Sequence, residues 1–330
     1  MLHPPLLLPL LAFGLSFLLL AIFLKSGCAR YLAVDEPNQR SLHSIPVPRI
    51  GGIAIVIAAL GAWSQLPEMS QLLIVLTAAL AGISYVDDWK GLSVAVRLAS
   101  HVVAAGWVVV SGLAGESAWL TAALIACVVW MTNAYNFMDG ADGLAGGMAI
   151  FGFSAYAVAA SSANAELLAA MSFILATATT GFLIFNFPPA KVFMGDAGSI
   201  SLGFLAAVLG LSGWSLGAWS PWFPVLVFAP FLVDASLTLL RRILRRDRFW
   251  EAHRDHYYQR LIRMGWSHRR TALAEYALMA GVAASAVAGL RLDAAGQAWL
   301  LAAWAMVFAG MALAIDSHWR RFVVSGDEST

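Results

Sequence analysis

Along the chain, long hydrophobic runs alternate with short polar breaks. A helix crossing about 30 Å of hydrocarbon needs roughly 20 apolar residues. Runs of that order fall at 4–24, 50–66, 70–86, 94–112, 117–134, 142–160, 166–186, 197–214, 222–242, 271–290 and 295–315. The pattern therefore predicts about 11 transmembrane helices, with a short second and third span divided by a weak break from Gln65 to Ser70. The first stretch, MLHPPLLLPLLAFGLSFLLLAIFLK, has no basic residue ahead of its apolar run and no small-residue cleavage site. It is expected to be a retained span and not a leader.

Composition sets the class. The 330 residues are 60% hydrophobic and 12% charged, against about 25% charged in soluble domains. The expected fold is an all-α integral membrane protein, a polytopic helical bundle forming one domain over 1–330. A net charge of +1 says little, but its distribution says more. With the N-terminus outside (periplasmic), the inner segments 25–49, 87–97, 131–141, 187–196, 241–270 and 316–330 hold 19 of the 20 Lys and Arg residues, Arg291 being the exception. That is the positive-inside pattern, and it places the C-terminus in the cytoplasm. The outer connections are short and poor in polar groups, so the chemistry is expected on the inner face. Cys28 and Cys127 sit in or near apolar segments without CxxC spacing and read as small packed side chains.

Five aspartates occupy three of the inner loops. Asp87 and Asp88 end the third span in YVDDWKG. Adjacent carboxylates at a helix C-terminus need a nearby cation, which Lys90, Arg97 or a metal would supply; a solvated pair in a salt bridge is the plainer alternative. Asp139 and Asp142, in NAYNFMDGADGLAGG, are spaced to share one helix face at the entrance to the sixth span, and helix capping explains them equally simply. Asn133 and Asn136 add amides nearby. Asp196 opens the eighth span, where one carboxylate and helix N–H groups suit Mg²⁺ and phosphate. Upstream, Asn186 and Phe193 are candidates to hydrogen-bond and stack a nucleobase, with a membrane-interface aromatic an equally simple reading of Phe193. The segment 241–270 carries ten arginines, with His253, Arg254 and His256 expected to bind diphosphate. HxxH by itself is a weak zinc motif. His101 and Glu275 read as packed or snorkelling groups, whereas Asp234, within the ninth span, implies a charge partner or a function.

The motifs NxxNxxDGxDGLAGG, VFMGDAGS and DDWKG, in this order, resemble the polyprenyl-phosphate N-acetylhexosamine-1-phosphate transferase superfamily (glycosyltransferase family 4) from 35–52 through 252–261. The resemblance implies an enzyme of the bacterial inner membrane that uses Mg²⁺, with Mn²⁺ as an alternative ion. It would transfer sugar-1-phosphate from a UDP-N-acetyl amino sugar to undecaprenyl phosphate and release UMP. By motif, Asp87 and Asp88 match the essential pair and Asp196 the metal-binding aspartate, with Asp88 beside it. Asn136, Asp139 and Asp142 match nucleotide- and sugar-side residues, Asn186 and Phe193 uracil contacts, and His253 and His256 the histidine-rich loop. Muramoyl-peptide translocases have three consecutive histidines where this chain has His253-Arg254-Asp255-His256. The Lys ahead of the first GG is absent, leaving His43 and Arg49. Both departures point to the branch that initiates O-antigen or exopolysaccharide. No nucleic-acid partner is expected, and a homodimer is compatible with the pattern. A secondary transporter and a non-catalytic scaffold are the rival classes; the first usually places its acids near the bilayer midplane within internal repeats.

Overall fold

A computed structural model describes residues 4–27, 33–35, 46–113, 117–248 and 253–327. Apolar runs become helices because hydrocarbon offers no partner for an open backbone group. The helices are α1 (Pro4–Ser26), α2 (Gly51–Trp63), α3 (Gln71–Lys90), α4 (Val94–Val108), α5 (Ala118–Phe137), α6 (Leu144–Ser162) and α7 (Glu166–Asn186). They continue with α8 (Asp196–Ser215), α9 (Trp222–Val227), α10 (Ala229–Leu244), α11 (Tyr257–Arg263), α12 (His268–Gly289) and α13 (Ala294–Asp327). The protein is a polytopic helical membrane protein. Among the described residues, nine helices are long and apolar enough to cross a membrane.

Several expected boundaries move. The expected span 50–66 is a 13-residue helix, α2. The expected continuous span 222–242 is two helices that meet at Phe228, with Pro230 at the start of the second; proline has no N–H to extend the preceding helix. α3 runs through Asp87 and Asp88 to Lys90, beyond its expected end at 86. α6 starts at Leu144, after Gly143 at φ 76°. Asp139 and Asp142 therefore lie in a loop and not on one helix face, which corrects that expectation: a left-handed residue cannot be continued helix.

α8 occupies the centre, almost wholly buried, with α2, α3, α5 and α6 packed around it. α2 reaches it through a glycine pair: a Cβ on Gly52 would lie 2.1 Å from the Gly198 nitrogen. Only small residues permit backbones to approach so closely. A two-residue ribbon, β1 (Val34–Asp35) against β2 (Val47–Pro48), pairs Asp35 with Val47 and precedes α2. The alternating helices bring the ends of α3, α5, α7 and α10 and the starts of α4, α6, α8 and α12 to one polar face.

Candidate active site

Asp196, the first residue of α8, is the hub of this face. Its backbone N–H donates to Asp88 Oδ2 at 2.8 Å, and its Oδ1 accepts from Asn136 Nδ2 at 2.9 Å. Asn136 also donates to Ser199 Oγ at 3.0 Å. Gly195 holds φ 72°, and a Cβ there would meet Asp88 Oδ2 at 2.8 Å. A glycine is thus required both by the turn and by the approach of α3.

Two arginines serve this cluster. Arg49 Nη1 contacts Asp88 Oδ1 at 3.2 Å and its Nη2 contacts Asp35 Oδ1 at 2.7 Å. Arg97, in the first turn of α4, stands 3.2 Å from Asp87 Oδ2 and 3.9 Å from Asp196 Oδ2. Asp87 also accepts the Leu92 N–H, closing the turn between α3 and α4. Asp139 takes neither a hydrogen bond nor an ion pair through its carboxyl among the described residues. Burial, with the negative charges of Asp196 and Asp88, pushes that carboxyl well above the ordinary range, and Arg49 opposes the shift. Like charges gathered in a poorly solvated site raise the affinity for a cation. Among the described residues no three His, Cys, Asp or Glu side chains converge as a complete metal cage. One or two carboxylates completed by water and substrate phosphates remain the usual setting for Mg²⁺.

A cavity of about 660 Å³ opens beside the cluster. Asp87, Arg97, Asn136, Asp196, His253 and His256 form its polar end. Ile83, Val94, Leu98, Val129, Trp130 and Leu239 supply apolar wall from α3, α4, α5 and α10. Asn133 also lines it, bonded through Nδ2 to Val129 O at 2.7 Å and adjacent to His101 Nδ1 at 3.2 Å.

The histidines come from the segment leading into α11. Asp234 of α10 accepts the Tyr257 N–H at 3.0 Å, the Tyr258 N–H at 3.2 Å and the Thr238 hydroxyl at 3.1 Å, and it faces His256 Nδ1 at 3.1 Å. A carboxylate only accepts, so Nδ1 of His256 carries a proton and donates it to Asp234. Asp234 thereby caps α11 and orients His256, a role its sequence position could not assign. The His253 ring is 5.0 Å from that of His256. Burial, then His256 and Arg242, push His253 down to about 4, so it is neutral at pH 7.

Other candidates lie elsewhere. Asp142 pairs with His268 Nδ1 at 3.3 Å and accepts the Ala190 N–H at 3.0 Å. Asn186 uses both ends of its amide within the fold, accepting from Gly143 N and donating to Val192 O, each at 2.9 Å. Phe193 has its backbone N–H on Pro48 O and its carbonyl on Gly51 N–H, both at 2.9 Å. Lys90 is exposed, its ammonium 5.1 Å from the Trp89 ring. The Arg254 carbonyl accepts from Arg263 at 3.2 Å. His43 lies outside the described residues. The sequence offered Arg97 as a cation for the Asp87 and Asp88 pair and gave no role to Ser199 or to Gln259, whose Oε1 accepts the His256 N–H at 3.3 Å.

The site is acid-rich, flanked by arginines, and opens into an apolar groove among helices long enough to cross a membrane. The family model for glycosyl transferase family 4 matches residues 70–213. The chain is 32% identical over 281 residues to a probable undecaprenyl-phosphate N-acetylglucosaminyl 1-phosphate transferase of Bacillus subtilis, covering 79% of this chain and 78% of that protein. It is 30% identical to the decaprenyl-phosphate N-acetylglucosaminephosphotransferase of Mycobacterium leprae, over 88% and 85% of the two chains. A phospho-N-acetylmuramoyl-pentapeptide-transferase of Rippkaea orientalis is 27% identical over 83% of each chain. The chain belongs to glycosyl transferase family 4, and its relatives are polyprenyl-phosphate sugar-1-phosphate transferases.

Proposed function

We propose that this protein transfers an N-acetylhexosamine-1-phosphate from a UDP-linked amino sugar to undecaprenyl phosphate, as a first membrane step in O-antigen or other cell-surface polysaccharide synthesis. The observation that carries this reading is the convergence of Asp87, Asp196 and Arg97 at the polar mouth of an apolar groove, with Asp88 held behind Asp196 on its backbone N–H. The groove suits a polyprenyl tail and the mouth suits its phosphate. The distribution of Lys and Arg supports a cytoplasmic position for this face, in a bacterial inner membrane.

A phosphate oxygen of the lipid attacks the β-phosphorus of the UDP-sugar. A new P–O bond forms, the bond from that phosphorus to the bridging oxygen breaks, and UMP leaves with the electron pair. A phosphate monoester with a second pKa of about 6 is mostly dianionic at pH 7, so a general base is not required. Arg97 lies where it can offset the phosphate charge, and positioning and electrostatics supply most of such a rate enhancement. His253, whose Nδ1 accepts the Asp255 N–H at 3.4 Å, can donate from Nε2 to the diphosphate, and His256 stands beside it on the same wall. Asp196 and Asp88 would hold Mg²⁺, whose contribution when bound is to neutralise phosphate charge.

The test is UMP release from a panel of UDP-amino sugars, UDP-N-acetylmuramoyl-pentapeptide included, by membranes supplied with undecaprenyl phosphate. Release should need the lipid, respond to Mg²⁺ and vanish with Asp196→Asn. Release without the lipid, or an Asp196→Asn protein as active as the parent, sinks the reading, and the preferred donor decides between the amino-sugar and muramoyl-peptide branches.

A further inference from the structure

α13 has 34 residues, about 51 Å at 1.5 Å per residue, so roughly 20 Å of it exceeds a hydrocarbon layer of about 30 Å. Near its C-terminal end, Asp316 accepts from Arg241 Nη1 at 2.6 Å and Nη2 at 2.5 Å, and from Arg260 Nη1 at 2.9 Å. Arg241 belongs to α10 and Arg260 to α11. Both guanidiniums also approach the Tyr257 ring, at 5.1 and 5.3 Å. One turn farther along α13, the Trp319 ring receives Arg260 at 5.7 Å and Arg263 at 4.5 Å.

α11 is only seven residues long, too short to hold its shape alone. Asp234 fixes its first turn, and the α13 contacts fix the remainder. The link to the site is direct in the chain: Arg260 N–H donates to the His256 carbonyl at 2.9 Å. Arg260 is buried, so water cannot replace a lost carboxylate. Without Asp316, two like charges would confront each other over Tyr257, and α11 would relieve them by moving.

We propose that Asp316 is a positioning residue: the C-terminal extension of α13 clamps α11 so that His253 and His256 stay on the wall of the groove. Its kinetic consequence rests on the transferase reading above; its structural consequence does not. The experiment therefore has two readouts on the full chain in detergent, amide hydrogen exchange across 253–263 and UMP-release kinetics. Asp316→Asn should accelerate exchange across 257–263 and lower kcat roughly ten- to a hundredfold, the scale of a small misplacement of catalytic groups. Asp316→Glu should recover most of that loss, and Asp316→Asn should add little to a His256→Gln background, because both act through one unit. If Asp316→Asn loses its thermal transition, Trp319→Leu removes only the ring contacts and should give the same signature at a smaller amplitude. Unchanged exchange in both variants, or losses that multiply with His256→Gln, overturns the clamp. Faster exchange in a protein whose parent releases no UMP leaves the clamp standing and removes the transferase reading instead.

Discussion

On the wall built by α3, α5 and α8, Asp87, Asp88 and Asp196 crowd beside Asp139 with Arg49 and Arg97 as their cations, and the Asp139 carboxyl has no direct partner among the described residues. On the facing wall, Asp234 gathers three N–H donors and a hydroxyl, while Asp255 holds Arg242 at 2.6 Å. The two walls carry similar residue types with different electrostatic balance. A buried carboxylate whose donors are complete gives rigidity and orientation. One left short of positive charge favours an incoming cation or a cation-bound phosphate. The unbalanced wall is where chemistry is expected, and the balanced wall holds the histidines still for it.

The largest effect should come from Asp196→Asn, which removes the charge at the hub while keeping its shape. Turnover is expected to fall by about a thousandfold, the upper range for deleting one preorganised electrostatic group, as measured by UMP release. Comparable losses from Asp234→Asn and Asp196→Asn would erase the distinction between the walls.

Asp139→Asn should separate stability from activity. A carboxyl whose folded pKa is raised supports the fold fully below its unfolded pKa of about 3.9, and that support is lost as pH rises through the folded value. In metal-free protein, the parent's thermal midpoint should therefore drop with rising pH through this range, while Asp139→Asn stays flatter and melts higher at neutral pH. Added Mg²⁺ should narrow the gap, while the variant loses turnover. A parent that grows more stable as Asp139 ionises would contradict the like-charge account.

Asp142→Asn should act more gently, loosening the ties to His268 and Ala190. Each charge-assisted hydrogen bond contributes about 1.5–3 kcal/mol to stability, so the thermal midpoint should fall by several degrees with kcat nearly unchanged. A collapse of kcat would move Asp142 into the carboxylate cluster. The smallest effect is expected for Lys90→Ala, because Lys90 is exposed and contacts Trp89; a change beyond about twofold in kcat/KM would show that substrate reaches it.

The membrane class and most helices were legible in the sequence because hydrocarbon forces the backbone to satisfy itself within long apolar runs. Asp88 and Asp196 were legible as candidates because carboxylates at the ends of apolar helices need a reason to be there. Asp142 was not separable from Asp139: the loop before Gly143 sends them to different partners, and three-residue spacing alone cannot reveal that. Asn186 carried the right chemistry to contact a ligand, yet its amide closes the fold on Gly143 and Val192.

Hydropathy and the placement of charge thus determined by themselves that this chain crosses a membrane repeatedly and keeps most of its acids near helix ends or in loops, because desolvation is costly wherever the chain runs. Only the tertiary structure decided which acids share a field and which are neutralised. That depends on contacts between residues far apart in the chain, such as Asp88 with Asp196 and Asp316 with Arg260. Coulomb energy follows distance in space, and sequence separation does not record it.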